Sequence, residues 1–258
     1  MEAVARQNMD YEVIKAASYV QGVAKLRKAG EQPKTFKENI QARVVAYENG
    51  DRQLFETWLD SCTAVANKAH STKFKVVPQS TNLLNIPAHF NKSFLPVDYD
   101  IIQEVELDSS EMKYNQGLTK GEVLDHPGWL LAVEADAPLL KTYRDIVFTE
   151  LRNPKTAMRF YVRQNPDQDE LRALFVFNLG YDSYAYGNNS LNNGGSFLRG
   201  SPVVRSAAGA APEKQALEQK VAKILSPFDK YVGTVNQKQY QREKQEVVQE
   251  LLELYKGR

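Results

Sequence analysis

Residues 51–69, DRQLFETWLDSCTAVANKA, decide how the first third of the chain is read. Leu54, Phe55, Trp58, Leu59, Cys62, Val65, Ala66 and Ala69 recur at steps of three and four, which predicts one broad apolar face on a helix, with Asp51 as its N-cap. Upstream, Met9, Val13, Ala17, Val20 and Ala24 make a similar stripe that stops at Gly30. Between the two, Thr35 followed three residues later by Glu38 has the form of a capping box. Phe36, Ile40, Val44 and Tyr47 then continue at helical spacing to Gly50. Short connections favour antiparallel neighbours, so the expectation is an N-terminal antiparallel three-helix layer.

Beyond His70 the period changes. Phe74 and Val76 alternate with lysines as a short strand, and Pro78, Pro87 and Pro96 break up the region that follows. Asp100–Asp108 reads as an extended edge. Thr119 with Glu122 is a second capping-box pattern. Pro127 can open a helix to Glu134, and a further helix runs from Asp136 to about Arg152, ended by Asn153-Pro154. The alternation Met158, Phe160, Val162 and the run Leu171–Leu179 flank Asn165-Pro-Asp-Gln-Asp169, which predicts a β-hairpin near 158–179 in a small antiparallel sheet. Tyr181–Pro202, rich in Tyr, Asn, Ser and Gly, reads as a long loop. The fold class expected is α+β: a mixed core over 1–200, a linker over 201–211 and a helical C-terminal extension over 212–258. The seam of Tyr240, Val247, Leu251 and Leu254 in that extension must rest on its own domain or on a second copy of the chain, a route to a homo-oligomer.

Composition narrows the chemistry. Of 258 residues, 33 are basic and 32 acidic, for a net charge of +1, which excludes bulk polycationic binding of nucleic acid. One cysteine excludes an intrachain disulfide and multi-cysteine zinc sites. No apolar run approaches the roughly 20 residues of a membrane span, and Glu2, Arg6 and Asp10 leave no signal-peptide core at the start. The expectation is a soluble, cytoplasmic protein without a membrane partner. Charge is uneven: +3 over residues 1–75, −7 over 76–137 and +5 over 138–258. No phosphate loop, dinucleotide fingerprint or nucleophile elbow occurs.

Two readings of function come from this. In the first, a non-enzymatic intracellular binding or assembly protein contacts a protein or a nucleic acid. Its surface joins the basic–aromatic strand Arg159, Tyr161 and Arg163 to the loop residues Tyr181, Tyr184, Tyr186, Asn188 and Arg199. Arginines around a tyrosine can stack a base or hold a phosphate, and Tyr, Ser, Gly and Asn are the residues of adaptable binding loops. This reading needs no cofactor. In the alternative, Asp100, Glu111 and Lys113 match the spacing of a metal-dependent nuclease or phosphodiesterase, with Asp100 and Glu111 holding Mg or Mn and Lys113 assisting the attacking water. His70, His89 and His126 read as structural or merely exposed, and Cys62 as a core residue.

Overall fold

In the computed structural model, which describes residues 11–199, Leu59–Asn67 is a strand (β2) and not the middle of a helix. Every one of its residues is buried. Leu59 and Val65 enter one core, while Ala64 and Ala66 enter another on the opposite side of the sheet. A strand covered on both faces has no polar side to alternate with, so its apolar residues fall at helix-like spacing by accident. Only a 3-10 turn over Gln53–Phe55 precedes it.

The first predicted helix is also divided. Glu12–Ala16 is a strand (β1), and the helix begins only at Tyr19 (α1, Tyr19–Lys28), where the Ser18 hydroxyl accepts the Gln21 N–H at 3.2 Å. The second helix, α2 (Phe36–Glu48), stands as read, with both bonds of the Thr35/Glu38 capping box in place. An N-terminal three-helix layer is therefore replaced by β1, α1, α2 and β2 in that order.

The remaining elements are β3 (Lys73–Val77), α3 (Thr81–Leu84), β4 (Leu95–Pro96), β5 (Glu106–Asp108), α4 (Glu122–Asp125), α5 (Pro127–Ala132), α6 (Ala137–Glu150), β6 (Phe160–Val162), β7 (Glu170–Val176), β8 (Ala185–Gly187) and β9 (Gly195–Arg199). His126 caps α5 ahead of Pro127, and Asp136 caps α6, its carboxylate accepting the Leu139 N–H at 3.2 Å. The sheet is not small. Nine strands join in one mixed sheet of order β1-β9-β2-β7-β8-β6, with β3 on β2, β5 on β3 and β4 on β7. The β2/β9 and β6/β8 pairs are parallel and the others antiparallel.

The expected hairpin does not form. Between β6 and β7 lies β8, with Tyr161 opposite Tyr186 and Phe175 opposite Tyr186. The connection that should have been its turn is bound elsewhere: the His70 N–H donates to the Pro166 carbonyl at 2.8 Å and the Asn165 N–H to that of Ser71 at 2.9 Å. These bonds hold the 165–166 segment against the β2–β3 turn, so β6 and β7 part. The long loop is also shorter than expected, because Ala185–Gly187 and Gly195–Arg199 are strands.

Between Asp60 and Ala64 the β2/β7 pairing slips, and β2 changes neighbours there, meeting β9 at Asp60 and β3 from Ala64 onward. The looped-out polar groups are satisfied locally. The Cys62 N–H donates to the Lys34 carbonyl at 2.9 Å, and the Thr63 hydroxyl accepts from Phe36 N–H at 2.8 Å and donates to Pro78 at 2.6 Å. One core lies between the sheet and α2, α5 and α6, around Phe36, Trp129, Tyr143 and Phe160. The other lies under α1, around Tyr19, Val23, Tyr99 and Phe197. Among the described residues no helix is long and apolar enough to cross a membrane. The linker over 201–211 and the helical extension over 212–258 lie outside the described residues.

Candidate functional site

Strand alternation sorts the β7–β8–β6 end of the sheet into two unlike faces. Leu174, Val176, Ala185, Phe160 and Val162 enter the core beneath α2, α5 and α6. Phe175, Tyr186 and Tyr161 share a register row and point the other way. Tyr161 stacks on Tyr186 with ring centroids 4.8 Å apart and 10° between planes, and Phe175 meets Tyr186 at 5.2 Å. One step along, the Phe177 N–H donates to the Tyr184 carbonyl, and these two rings are 4.6 Å apart. Tyr181 extends the group from Phe177 at 5.3 Å and Tyr114 from Tyr161 at 5.3 Å. Phe175 is buried and forms the floor. Tyr161, Tyr184, Tyr186 and Phe177 are half-buried, and Tyr181 is 58% exposed.

This is a continuous aromatic face built from cross-strand pairs. Burial pushes the hydroxyls of Tyr184 and Tyr186 above the ordinary tyrosine range, so both are neutral donors at any physiological pH. Neither Phe175 nor Phe177 figured among the expected site residues. Their signal was the alternation of the return strand, which carries aromatics on the face away from the core. Trp58, 41% exposed, lies one position before the Leu59–Val176 pair.

The basic character expected of this surface is reduced, because its arginines face carboxylates, Arg163 sharing one with Arg172. Arg159 pairs with Asp182 at 3.7 Å and Arg163 with Glu170 at 3.5 Å. Arg199 sits on β9, three places from β8 in the strand order, where it pairs with Glu31 at 3.0 Å and Glu12 at 3.5 Å. The structure thus brings together Tyr161, Tyr181, Tyr184 and Tyr186, keeps Asn188 just past the end of β8, and removes Arg199 from the group.

Asp100, Glu111 and Lys113 are engaged separately. The Asp100 carboxylate is 3.0 Å from Lys68 Nζ, Lys113 Nζ is 2.5 Å from Glu122, and Glu111 is exposed in a turn closed on the Asp108 carbonyl at 3.1 Å. Glu106 pairs with Lys73 at 2.7 Å. In the acidic middle of the chain, Asp100 and Glu106 are answered by Lys68 and Lys73 of the β2–β3 region, and Glu134 and Asp136 by Lys37 of α2. Among the described residues no three His, Cys, Asp or Glu side chains gather as a metal site. His126 is spent on its helix: Nδ1 accepts the Trp129 N–H, and burial pushes its pKa down to about 4. Burial pushes the Cys62 thiol up to about 12, which removes the thiolate a nucleophile would need.

No family model matches the chain, and no curated protein matches it. Among solved structures it is similar to one described as the accommodation of massive sequence variation in Nanoarchaeota by the C-type lectin fold. The TM-score is 0.57 at 15% identity, over 76% of this chain and 100% of that one. Identity that low speaks for the fold alone: the mixed sheet with its flanking helices is a C-type lectin-like α+β fold.

Proposed function

We propose that the protein is a non-enzymatic binding protein whose contact surface is the aromatic face of Tyr161, Phe177, Tyr181, Tyr184 and Tyr186, flanked by Asn188, and whose partner is a protein. The observation that carries this is the register row Phe175–Tyr186–Tyr161, which puts a row of rings on the side of the sheet away from the main core. Tyrosines give large, rigid, amphipathic contact area at low entropic cost, and the neighbouring asparagines add adaptable hydrogen bonds. A protein partner is favoured over nucleic acid because the surface is more aromatic than basic: Arg159 is paired with Asp182, and the one excess positive charge comes from Arg163 and Arg172 sharing Glu170. The solved structure of similar fold is described as accommodating massive sequence variation. A scaffold that keeps its shape while residues change suits a recognition module, and this supports the same reading.

The test is affinity capture from the source cell with the wild type and with Tyr161→Ala/Tyr186→Ala, followed by titration of the captured partner at low and high salt. A protein lost from the double variant but retained by Arg159→Ala/Arg163→Ala, with affinity nearly independent of salt, is the expected result. Equal capture by the aromatic variant overturns the proposal. So does binding of an oligonucleotide that weakens steeply with salt, which would reinstate nucleic acid as the partner.

A further inference from the structure

Arg43 is fully buried on α2, and no carboxylate is among its partners. Its Nη1 donates to the Tyr143 hydroxyl at 2.7 Å, the Phe177 carbonyl at 2.8 Å and the Ser183 hydroxyl at 3.0 Å. Its Nη2 donates to the Thr57 carbonyl at 2.6 Å and the Val176 carbonyl at 3.4 Å. Tyr143 and Ser183 are hydrogen-bonded to each other as well. A buried cation is tolerated only where dipoles replace its water, and here main-chain carbonyls do so. Nη1 reaches the 177–183 turn at both ends while Nη2 ties the guanidinium to Thr57 and Val176, and that turn needs holding: Asp182 and Ser183 lie in the left-handed region at φ 57° and 50°.

A second guanidinium does the same where the segment leaves β8. Arg172, also buried, makes a two-pronged bond to Glu170 at 2.6 and 3.0 Å. Its remaining nitrogen donates to the Asn189 carbonyl at 3.2 Å. Apart from the Ser183 hydroxyl, both anchors act on the segment 177–189 through its main chain. The side chains of Tyr181, Tyr184, Tyr186 and Asn188 take no part in them.

We infer that Arg43 and Arg172 are positioning residues for the aromatic surface: they fix its backbone through carbonyls, and so separate the shape of the segment from the identity of the side chains it displays. This deepens the binding reading above and rests on it for the purpose of the surface, but its test needs no partner, so the two can fail independently.

Amide hydrogen exchange on the full chain is the readout, with near-ultraviolet circular dichroism of the coupled tyrosine rings beside it. Arg43→Lys and Arg172→Lys keep the charge but lose the fork. Each is expected to speed exchange across 177–189 by about tenfold or more, as local opening does, while β2 keeps its protection. Arg43→Lys should also weaken the tyrosine signal. Tyr181→Ser/Tyr184→Ser/Asn188→Ser should speed exchange in that segment less than either lysine variant does. Three results overturn the inference: unchanged exchange in both lysine variants, loss of protection throughout the chain in Arg43→Lys, or loosening by the triple serine variant equal to that of the lysine variants. Should Arg43→Lys fail to accumulate, Ser183→Ala removes one anchor bond, and exchange then unchanged at 177–183 overturns Arg43's part.

Discussion

Tyr161 of β6 and Tyr186 of β8 face each other across a parallel strand pair, 4.8 Å between ring centroids and with ring planes 10° from parallel. Stacked aromatic pairs are worth about 0.5–1.5 kcal/mol beyond the area they bury. A double-mutant cycle with Tyr161→Ala and Tyr186→Ala, read by urea unfolding, should therefore give a coupling of about 1 kcal/mol. A coupling near zero would mean that the rings do not stack in solution. Because both rings remain half-exposed, neither single variant should approach the cost of emptying a core position such as Trp129, which is fully buried.

Two arginines meet the same carboxylate, and their losses should differ sharply. Glu170 is 2% exposed and is gripped by Arg172 from within, while Arg163 reaches it from a partly exposed position at 3.5 Å. Arg172→Met leaves a buried charge without its main partner and should cost about 3–5 kcal/mol in urea unfolding. Arg163→Ala removes a peripheral pair and should cost about 0–1 kcal/mol. Equal losses would show that Glu170 is balanced from outside rather than from within.

The same contrast explains what could be read from the chain beforehand. Helices with one wet face announce themselves: the capping box of α2 and the stripe of α6 are both visible as spacing. Arg43 was visible too, at a position between Ile40 and Tyr47 where the apolar stripe should continue, but a lone charge on a stripe says nothing about what it will hold. In β2 the signal was misleading, since small residues such as Cys62, Ala64 and Ala66 are buried whichever face they take. The strand β8 is three residues long, too short for a period to declare itself, although Tyr184-Ala185-Tyr186-Gly187 does alternate large and small. The charge of the site was the least legible feature. Asp182, which answers Arg159, is 23 residues away in the chain and becomes its neighbour only because β8 inserts beside β6.

Gly22 lies in α1 directly over Phe197, and a Cβ placed there would come within 1.9 Å of that ring. In an exposed helix, Gly→Ala gains up to about 1 kcal/mol. Here overpacking should reverse the sign, so that Gly22→Ala destabilises by about 1–3 kcal/mol. Phe197→Leu combined with it should recover part of the loss, because the smaller side chain vacates the space. A thermal melt showing Gly22→Ala more stable than wild type would place Phe197 elsewhere.

Two buried groups give stability opposite slopes with pH. Burial raises the Asp60 carboxyl from 3.8 to about 7, against a single opposing hydrogen bond from the Ser196 N–H at 2.8 Å. The folded protein thus holds that proton more tightly than the unfolded chain, and the stability this contributes, complete below about pH 4, is lost as pH rises towards 7. His126 is lowered from 6.5 to about 4, so its contribution is complete above pH 6.5 and is lost as pH falls towards 4. Between these limits the two slopes oppose each other, each at most about 1.4 kcal/mol per pH unit. Asp60→Asn, which can still accept from Ser196, should leave a protein whose stability rises from pH 4.5 to 6.5. His126→Asn keeps a capping side chain and should leave one whose stability falls over the same range. Urea midpoints of the wild type and both variants at three pH values decide this. Parallel curves for all three would mean that neither group is buried as the sheet and α5 place them.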